Sequence, residues 1–155
     1  MAQITKDEVY DAVAPDDFPA MLEVARYGTR STAFDKIISA THDHFWDPMD
    51  KKYIDFNEPF DLTKEMILPE EFFPIFKTRI GDTMTEAQKI KFASEATRWQ
   101  ISAILHGEQG ALALSASLCH ILKDPGAQEY AANQTREEAR HVTGFASYIK
   151  ARWGK

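Results

Sequence analysis

The sequence ISAILHGEQGALALSASLCHILKDPGAQEYAANQTREEARH, from Ile101 to His141, decides the fold class of this chain. It contains two stretches with helical periodicity, separated by the turn sequence Lys123-Asp124-Pro125-Gly126. Aspartate is a preferred cap for a helix N-terminus, and proline suits the first helical position that follows. The pattern therefore predicts two long helices folded back on each other, in an all-α protein.

Each of the two predicted helices carries ionisable groups on its apolar face. Glu108 shares the inward stripe of the first helix with apolar and small residues: Ile101, Ile104, Leu105, Ala111, Leu112 and Ser115. Glu138 and His141 share the inward stripe of the second helix with Ala131, Gln134, Val142, Phe145 and Ile149. Positions three apart lie on one face of a helix, and a carboxylate is rarely buried without a partner or a metal ion. The ionisable groups on both faces therefore need an explanation.

The turn places these groups at one level. Residue 123 is the midpoint between residues 108 and 138, and residues equidistant from the turn of an antiparallel helix pair lie side by side. We therefore expect Glu108 to face Glu138 and His141. Two carboxylates and one imidazole form half of a dinuclear site, because the full site uses one Glu from each of two helices and a Glu-x-x-His from each of two others.

With these residues, the GEQG…TREEARH segment resembles the ferritin-like di-iron carboxylate proteins. Their oxygen-activating branch is the most similar: monooxygenase hydroxylases, N-oxygenases and ribonucleotide reductase small subunits. The resemblance covers residues 85–153 and, more faintly, the segment before them. It implies a di-iron or iron/manganese oxidoreductase that activates dioxygen, with a small-molecule substrate and a reductase as partners. It also implies that Glu138 bridges two ions, that Glu108 is a terminal or bridging ligand, and that His141 is a terminal nitrogen donor.

Two features of the sequence restrict the expected metal and the expected chemistry. Carboxylates and imidazole suit iron or manganese, whereas zinc sites favour Cys and His. In the radical-forming reductase subunits a tyrosine follows the histidine by one helical turn, and this chain has Phe145 there. The resemblance therefore points away from a stable tyrosyl radical.

The chain holds a single Glu-x-x-His, since Glu65-x-x-Leu68 and Glu95-x-x-Arg98 lack the histidine. We therefore predict a ferritin-like half-bundle, completed by a second chain or by a missing C-terminal half. Two copies related by a twofold axis would bring together four glutamates and two histidines, which is the ligand count of a complete site with two iron ions. The expected state is a homo-oligomer or a fragment of a longer chain.

We predict one domain, residues 1–155, in four segments: a polar lead-in (1–16), an N-terminal helix (17–44), loops and short helices (45–84) and the metal-ligand hairpin (85–155). Within the third segment we expect a helix at Pro69–Lys77 and a break at Gly81-Asp82. Thr85-x-x-Gln88 reads as a capping box that opens the first long helix.

Composition excludes several function classes. The net charge of −6, without a basic cluster, argues against a nucleic-acid or membrane-surface partner. The single cysteine, Cys119, excludes an internal disulfide and fits a reducing compartment. The N-terminus lacks the apolar core of a signal peptide, and the apolar stretch Ala111–Leu122 is too short to span a bilayer. These features predict a cytoplasmic protein.

Other polar residues near these helices are not predicted to bind a metal. His42-Asp43-His44 reads as a helix end, because residues two apart do not share a helical face. Glu137 is expected to be solvated, and Arg140 to form a surface salt bridge. Gly107 and Gly110 each cost a helix about 1 kcal/mol relative to alanine. Two explanations of these glycines stay open: a close helix crossing, or room for dioxygen or a substrate beside the metal.

Two alternative functions remain open. An iron-oxidising, ferritin-like storage protein would use the same ligands. A helical interaction module with a degenerate metal site would bind no metal, so that the metal content per chain separates it from the others.

Overall fold

The computed structural model describes residue 16 and residues 22–154, most of which are helical. Four α-helices occur among them: α1 (Asp35–Asp43), α2 (Arg79–Thr83), α3 (Glu86–Ile121) and α4 (Pro125–Trp153). Short 3-10 helices lie at Val24–Gly28, Glu70–Phe72 and Pro74–Lys77. No β-strand occurs among the described residues, so the predicted all-α class is confirmed. In the same part of the chain, no helix combines the length and apolar character that crossing a membrane requires.

The start of α3 has the predicted capping box. The backbone N–H of Thr85 donates to Gln88 Oε1 at 2.8 Å, and the backbone N–H of Gln88 donates to Thr85 Oγ1 at 3.3 Å. Two donors that have no acceptor inside the helix are thereby satisfied reciprocally. From Glu86 the helix continues for 36 residues to Ile121.

The turn between α3 and α4 is held by Asp124. Its Oδ1 accepts the backbone N–H of Ala127 at 2.7 Å, which caps α4 as predicted, and Pro125 is the first helical residue. Its Oδ2 accepts the backbone N–H of Ser31 at 2.8 Å. One side chain therefore both starts α4 and attaches the N-terminal segment to the turn.

Hydrogen bonds between α3 and α4 define their register. In the half near the turn, Gln128 Nε2 donates to the carbonyl oxygen of Cys119 at 3.1 Å. In the half far from the turn, Trp153 Nε1 donates to Ser94 Oγ at 3.0 Å. Both pairs have their sequence midpoint between residues 123 and 124. Each half is therefore antiparallel, in the register that the position of the turn predicts.

The single N-terminal helix predicted for residues 17–44 is wrong in the described part of the chain. Residues 17–21 lie outside the described residues. Beyond them the chain forms the 3-10 helix Val24–Gly28, then residues without helical structure, and then α1 from Asp35. The apolar periodicity of this stretch favours a helix, but periodicity does not register contacts with distant parts of the chain.

Contacts with the turn explain why the N-terminal helix is interrupted. Arg26 is only 8% exposed, and its guanidinium donates to the carbonyl oxygens of Leu122 and Lys123, at 2.8 Å in each case. The N–H of Ser31, which a continuous helix would use for its own ladder, is donated to Asp124. Because each backbone donor has one bond to give, the tertiary bond replaces the helical one.

Residues 45–84 form loops and short helices as predicted, but the helix predicted at Pro69–Lys77 is two 3-10 helices. Pro74 has no N–H to donate and disfavours helical backbone at the residue before it. Accordingly Phe73 has φ −117° and ψ 82° and separates the two turns. Phe73 and Phe76 form a core cluster with Ala93 of α3.

The break predicted at Gly81-Asp82 is also wrong, because both residues lie inside α2. Gly81 is buried, and a Cβ added to it would lie 2.3 Å from the carbonyl oxygen of Phe76. The glycine therefore permits a close approach of two backbone segments, and its presence does not end the helix.

Contacts divide the chain into two compact units. The first comprises residues up to Asp47 together with Glu108–Arg140, and the second comprises Pro48–Gly107 with His141–Lys155. The first unit contains α1 and the turn, and the second contains the core cluster of Phe73, Phe76 and Ala93. The long helices α3 and α4 each contribute residues to both units.

Gly126 makes the closest backbone approach at the turn, since a Cβ added to it would lie 2.1 Å from the carbonyl oxygen of Ser31. We expect Gly126→Ala to lower the free energy of unfolding by about 1–3 kcal/mol, the usual cost of overpacking. Urea denaturation measures the change. Gly28→Ala is the control, because an added Cβ there meets nothing within 4 Å. Equal losses in the two variants would contradict this explanation.

Candidate metal centre

The three side chains predicted as metal ligands lie together. One ligand atom from each of Glu108, Glu138 and His141 lies within 4.8 Å of the other two. Glu108 is on α3, and Glu138 and His141 are three residues apart on α4. The juxtaposition predicted from the midpoint of the turn is therefore present in the structure.

The spacing and the donor types fit a metal ion. Donors bound to one ion at about 2.0–2.2 Å lie about 3 Å apart when adjacent and up to about 4.4 Å apart when opposite. The three donor atoms, all within 4.8 Å of one another, lie close to that range. Carboxylate oxygens and imidazole nitrogens are both donors that divalent metal ions accept.

The burial of Glu138 separates this group from ordinary surface clusters of acidic residues. Glu138 is 7% exposed, and Glu108 and His141 are half-buried. An ionised carboxylate is costly to remove from water unless donors or a cation compensate. The site therefore has the environment in which a cation and a carboxylate attract each other most strongly.

Gln134 is a neighbour of the site to which the sequence analysis assigned no role. Its Nε2 donates to Glu138 Oε1, one helical turn further along α4. The four-residue spacing of the two side chains was a usable signal, because glutamine and an acidic residue so spaced on a helix form hydrogen bonds. In the sequence, Gln134 stands out only as a member of the inward stripe of the second helix.

Glu137 and Arg140 form a largely buried ion pair, which corrects two predictions: that Glu137 is solvated and that Arg140 forms a surface salt bridge. Arg140 Nη1 lies 2.8 and 2.9 Å from the two carboxylate oxygens of Glu137, and the two side chains are 11% and 12% exposed. The Arg140 guanidinium also lies over the ring of Phe45, 4.4 Å from its centroid. Helical spacing alone does not register the contact between Arg140 and Phe45, because Phe45 comes from a distant part of the sequence.

The histidines at the end of α1 stay outside the candidate site, as predicted. His42, Asp43 and His44 are all exposed, and α1 ends at Asp43. The ring nitrogen Nδ1 of His44 lies 2.8 Å from the carbonyl oxygen of Ala40. The structure thus agrees with a helix end at this position.

Gly107 and Gly110, on either side of Glu108, occupy exposed positions of α3, and a Cβ added to either meets nothing within 4 Å. A close crossing within the described part of the chain therefore does not account for them. We expect Gly107→Ala and Gly110→Ala each to raise the free energy of unfolding by about 0.4–1 kcal/mol, because alanine favours the helix. Urea denaturation measures this. A loss of stability in either variant would contradict this expectation.

Comparison with known proteins supplies no relative for this geometry: no protein-family model, no curated protein and no solved structure matches the chain. The function is therefore argued from the donor atoms, their spacing and their burial.

Proposed function

We propose that this chain is the metal-binding half-bundle of a ferritin-like di-iron, or iron/manganese, oxidoreductase that activates dioxygen. The observation that carries the proposal is the convergence of Glu108, Glu138 and His141 within 4.8 Å, with Glu138 buried. A Glu-x-x-His on one helix and a level glutamate on the next are the ligand pattern of one half of such a bundle.

In this proposal the residues of the chain hold the ions and set their surroundings. Glu108 and Glu138 supply negative charge that offsets the charge of the cations, and His141 supplies a neutral nitrogen donor. Because Glu138 is nearly removed from water, its attraction to a cation is screened less than at the surface. When bound, a pair of ferrous ions supplies the electrons that reduce dioxygen.

A second copy of the chain completes the centre in this proposal. The 155 residues contain one Glu-x-x-His, whereas the dinuclear sites of such bundles use two. A twofold axis beside the site brings a second Glu108, Glu138 and His141 to the first set. Two chains together then supply four carboxylates and two imidazoles for two ions.

Metal analysis combined with sedimentation at micromolar protein concentration tests this proposal. We expect about one iron or manganese ion per chain, in a species of twice the mass of the chain. Anomalous scattering at the iron and manganese edges, from crystals grown without chelator, then identifies the ions beside Glu108, Glu138 and His141. A compact monomer that tightly holds two ions per chain would contradict the dimeric site. A chain that binds no ion after anaerobic incubation with Fe(II) would contradict the metal centre itself.

Dioxygen consumption distinguishes the proposed activity from iron storage, which uses the same ligands. We expect the iron-loaded protein to consume dioxygen once and then to need a reductant for further turnover. Continued uptake with each addition of Fe(II), together with accumulation of ferric mineral beyond the ions of the site, would identify a storage protein. The measurement uses an oxygen electrode and the ferric absorbance of the same sample.

A further inference from the structure

We infer that Gln134 is a positioning residue, whose side-chain amide fixes the orientation in which Glu138 presents its carboxylate to the metal. The inference rests on the proposed function in one respect, namely that Glu138 binds a metal ion. Its structural basis is the hydrogen bond in which Gln134 Nε2 donates to Glu138 Oε1. Gln134 is partly buried beside the buried Glu138 and does not belong to the three proposed ligands.

Helix geometry and the chemistry of the two groups determine which atoms form this hydrogen bond. Side chains on a helix tilt toward its N-terminus, so the carboxylate of Glu138 lies over the preceding turn, which carries Gln134. An ionised carboxylate only accepts hydrogen bonds, so the NH2 end of the amide is the end that meets it. Hydrogen bonds to charged acceptors are stronger than neutral ones. The bond therefore restricts rotation of the Glu138 side chain.

A second set of hydrogen bonds holds this turn of α4 in place. Asn133 is 8% exposed, and its Nδ2 donates to Thr41 Oγ1 of α1 at 2.8 Å. The Thr41 hydroxyl in turn donates to the carbonyl oxygen of Ile38 at 2.7 Å. Because Asn133 is anchored to α1, α4 cannot rotate about its axis at this turn without breaking a buried bond. The stripe that carries Gln134 and Glu138 is thereby kept inward.

The carboxylate of Glu138 is therefore ordered before a metal ion binds. Hydrogen-bond partners of metal ligands typically change metal affinity by about 10–100-fold when they are removed. Gln134 has this relation to Glu138, so its removal should affect the metal-bound protein far more than the apo protein.

The test compares Gln134→Met with Gln128→Met by titrating each purified protein with Co(II), a spectroscopic probe of carboxylate–imidazole sites. Gln128 is a matched control: it is partly buried on the same helix and donates one hydrogen bond, to the carbonyl oxygen of Cys119. We expect Gln134→Met to raise the Kd by about 10–100-fold and to change the visible absorption of bound Co(II). Gln128→Met should leave both unchanged. The melting temperature of the apo Gln134 variant should fall somewhat more than that of the apo Gln128 variant, because the bond lost at Glu138 has a charged acceptor.

Gln134→Asn provides a second variant should the methionine variant fail to fold. It keeps the amide but is one methylene too short to reach Glu138, and we expect the same rise in Kd. Equal Kd values and spectra for the wild type and a folded Gln134 variant would overturn the inference while leaving the metal centre intact. An equal rise in the Gln128 control would also overturn it. Absence of Co(II) binding in the wild type would instead contradict the proposed function, and the wild-type titration alone reveals that failure.

Discussion

His141→Ala is expected to weaken metal binding by about 100-fold or more. Structural metal sites with four ligands bind their ion with about 10–16 kcal/mol, so one ligand carries roughly 3 kcal/mol, which corresponds to about two powers of ten in Kd. His141 is the nitrogen donor of the Glu108–Glu138–His141 group. Its removal leaves two carboxylates, which hold the ion less tightly and with less selectivity.

The melting temperature reports this loss directly. At a free metal concentration of about 100 times the wild-type Kd, binding stabilises the folded wild type by about 2.7 kcal/mol. After a 100-fold rise in Kd the same concentration contributes only about 0.4 kcal/mol. For a chain of this size the wild type should therefore melt roughly 5–10 °C higher with metal than without it. The variant should gain only about a degree.

Two controls separate the metal effect from a structural one. His106→Ala removes an exposed histidine of α3, two residues before Glu108, and should leave the metal-dependent shift unchanged. In apo protein His141→Ala should change the melting temperature far less than it does in the metal-loaded protein, because no bound metal is then lost. Equal losses of melting temperature with and without iron would show that His141 has a structural role and does not bind the metal.

Arg26→Met is expected to destabilise the protein by about 2–4 kcal/mol, the largest effect we anticipate on the apo protein. Arg26 is nearly buried and donates two hydrogen bonds of 2.8 Å to the carbonyls of Leu122 and Lys123. These carbonyls follow the last turn of α3, where the backbone acceptors lack helical partners and a positive charge is favourable. Hydrogen bonds to a charged group contribute about 1.5–3 kcal/mol each, and the two are not fully additive.

Thermal and urea unfolding of the apo protein measure the effect, with an expected fall in melting temperature of roughly 4–16 °C. Arg30→Met is the matched control in the same segment. Arg30 pairs with Asp35 and Glu129 at 2.7 Å, but all three side chains are more than a third exposed, so water and salt screen the pairs. Comparable destabilisation by the two substitutions would show that burial of Arg26 at the helix end is not the cause.

Much of the hairpin and the meeting of Glu108, Glu138 and His141 are predictable from the sequence, because they follow from short-range capping rules and from the position of one turn. The Thr85–Gln88 capping box and the capping of α4 by Asp124 involve residues three apart. The meeting of Glu108 with Glu138 and His141 involves distant residues, but it follows from the position of the turn and the constant rise of a helix. Each of these features follows from capping preferences or from the number of residues between a side chain and the turn.

The segments that the sequence analysis misjudged are those in which a distant residue changes the local preference. Apolar periodicity favoured one N-terminal helix, yet Arg26 and Ser31 give their hydrogen bonds to the turn 93 to 97 residues away. Helical spacing assigns Glu137 to solvent, yet it pairs with Arg140, whose guanidinium lies over the ring of Phe45.

The sequence by itself thus determined the helical class, the position of the turn and the level at which Glu108, Glu138 and His141 meet, because the helical repeat and capping act within a few residues. Only the tertiary structure decided where the N-terminal segment leaves the helix, how the Glu137–Arg140 pair is buried, and that Gln134 bonds Glu138. A backbone or side-chain donor forms its bond with whichever acceptor the fold brings near, and the local sequence does not specify which acceptor that is.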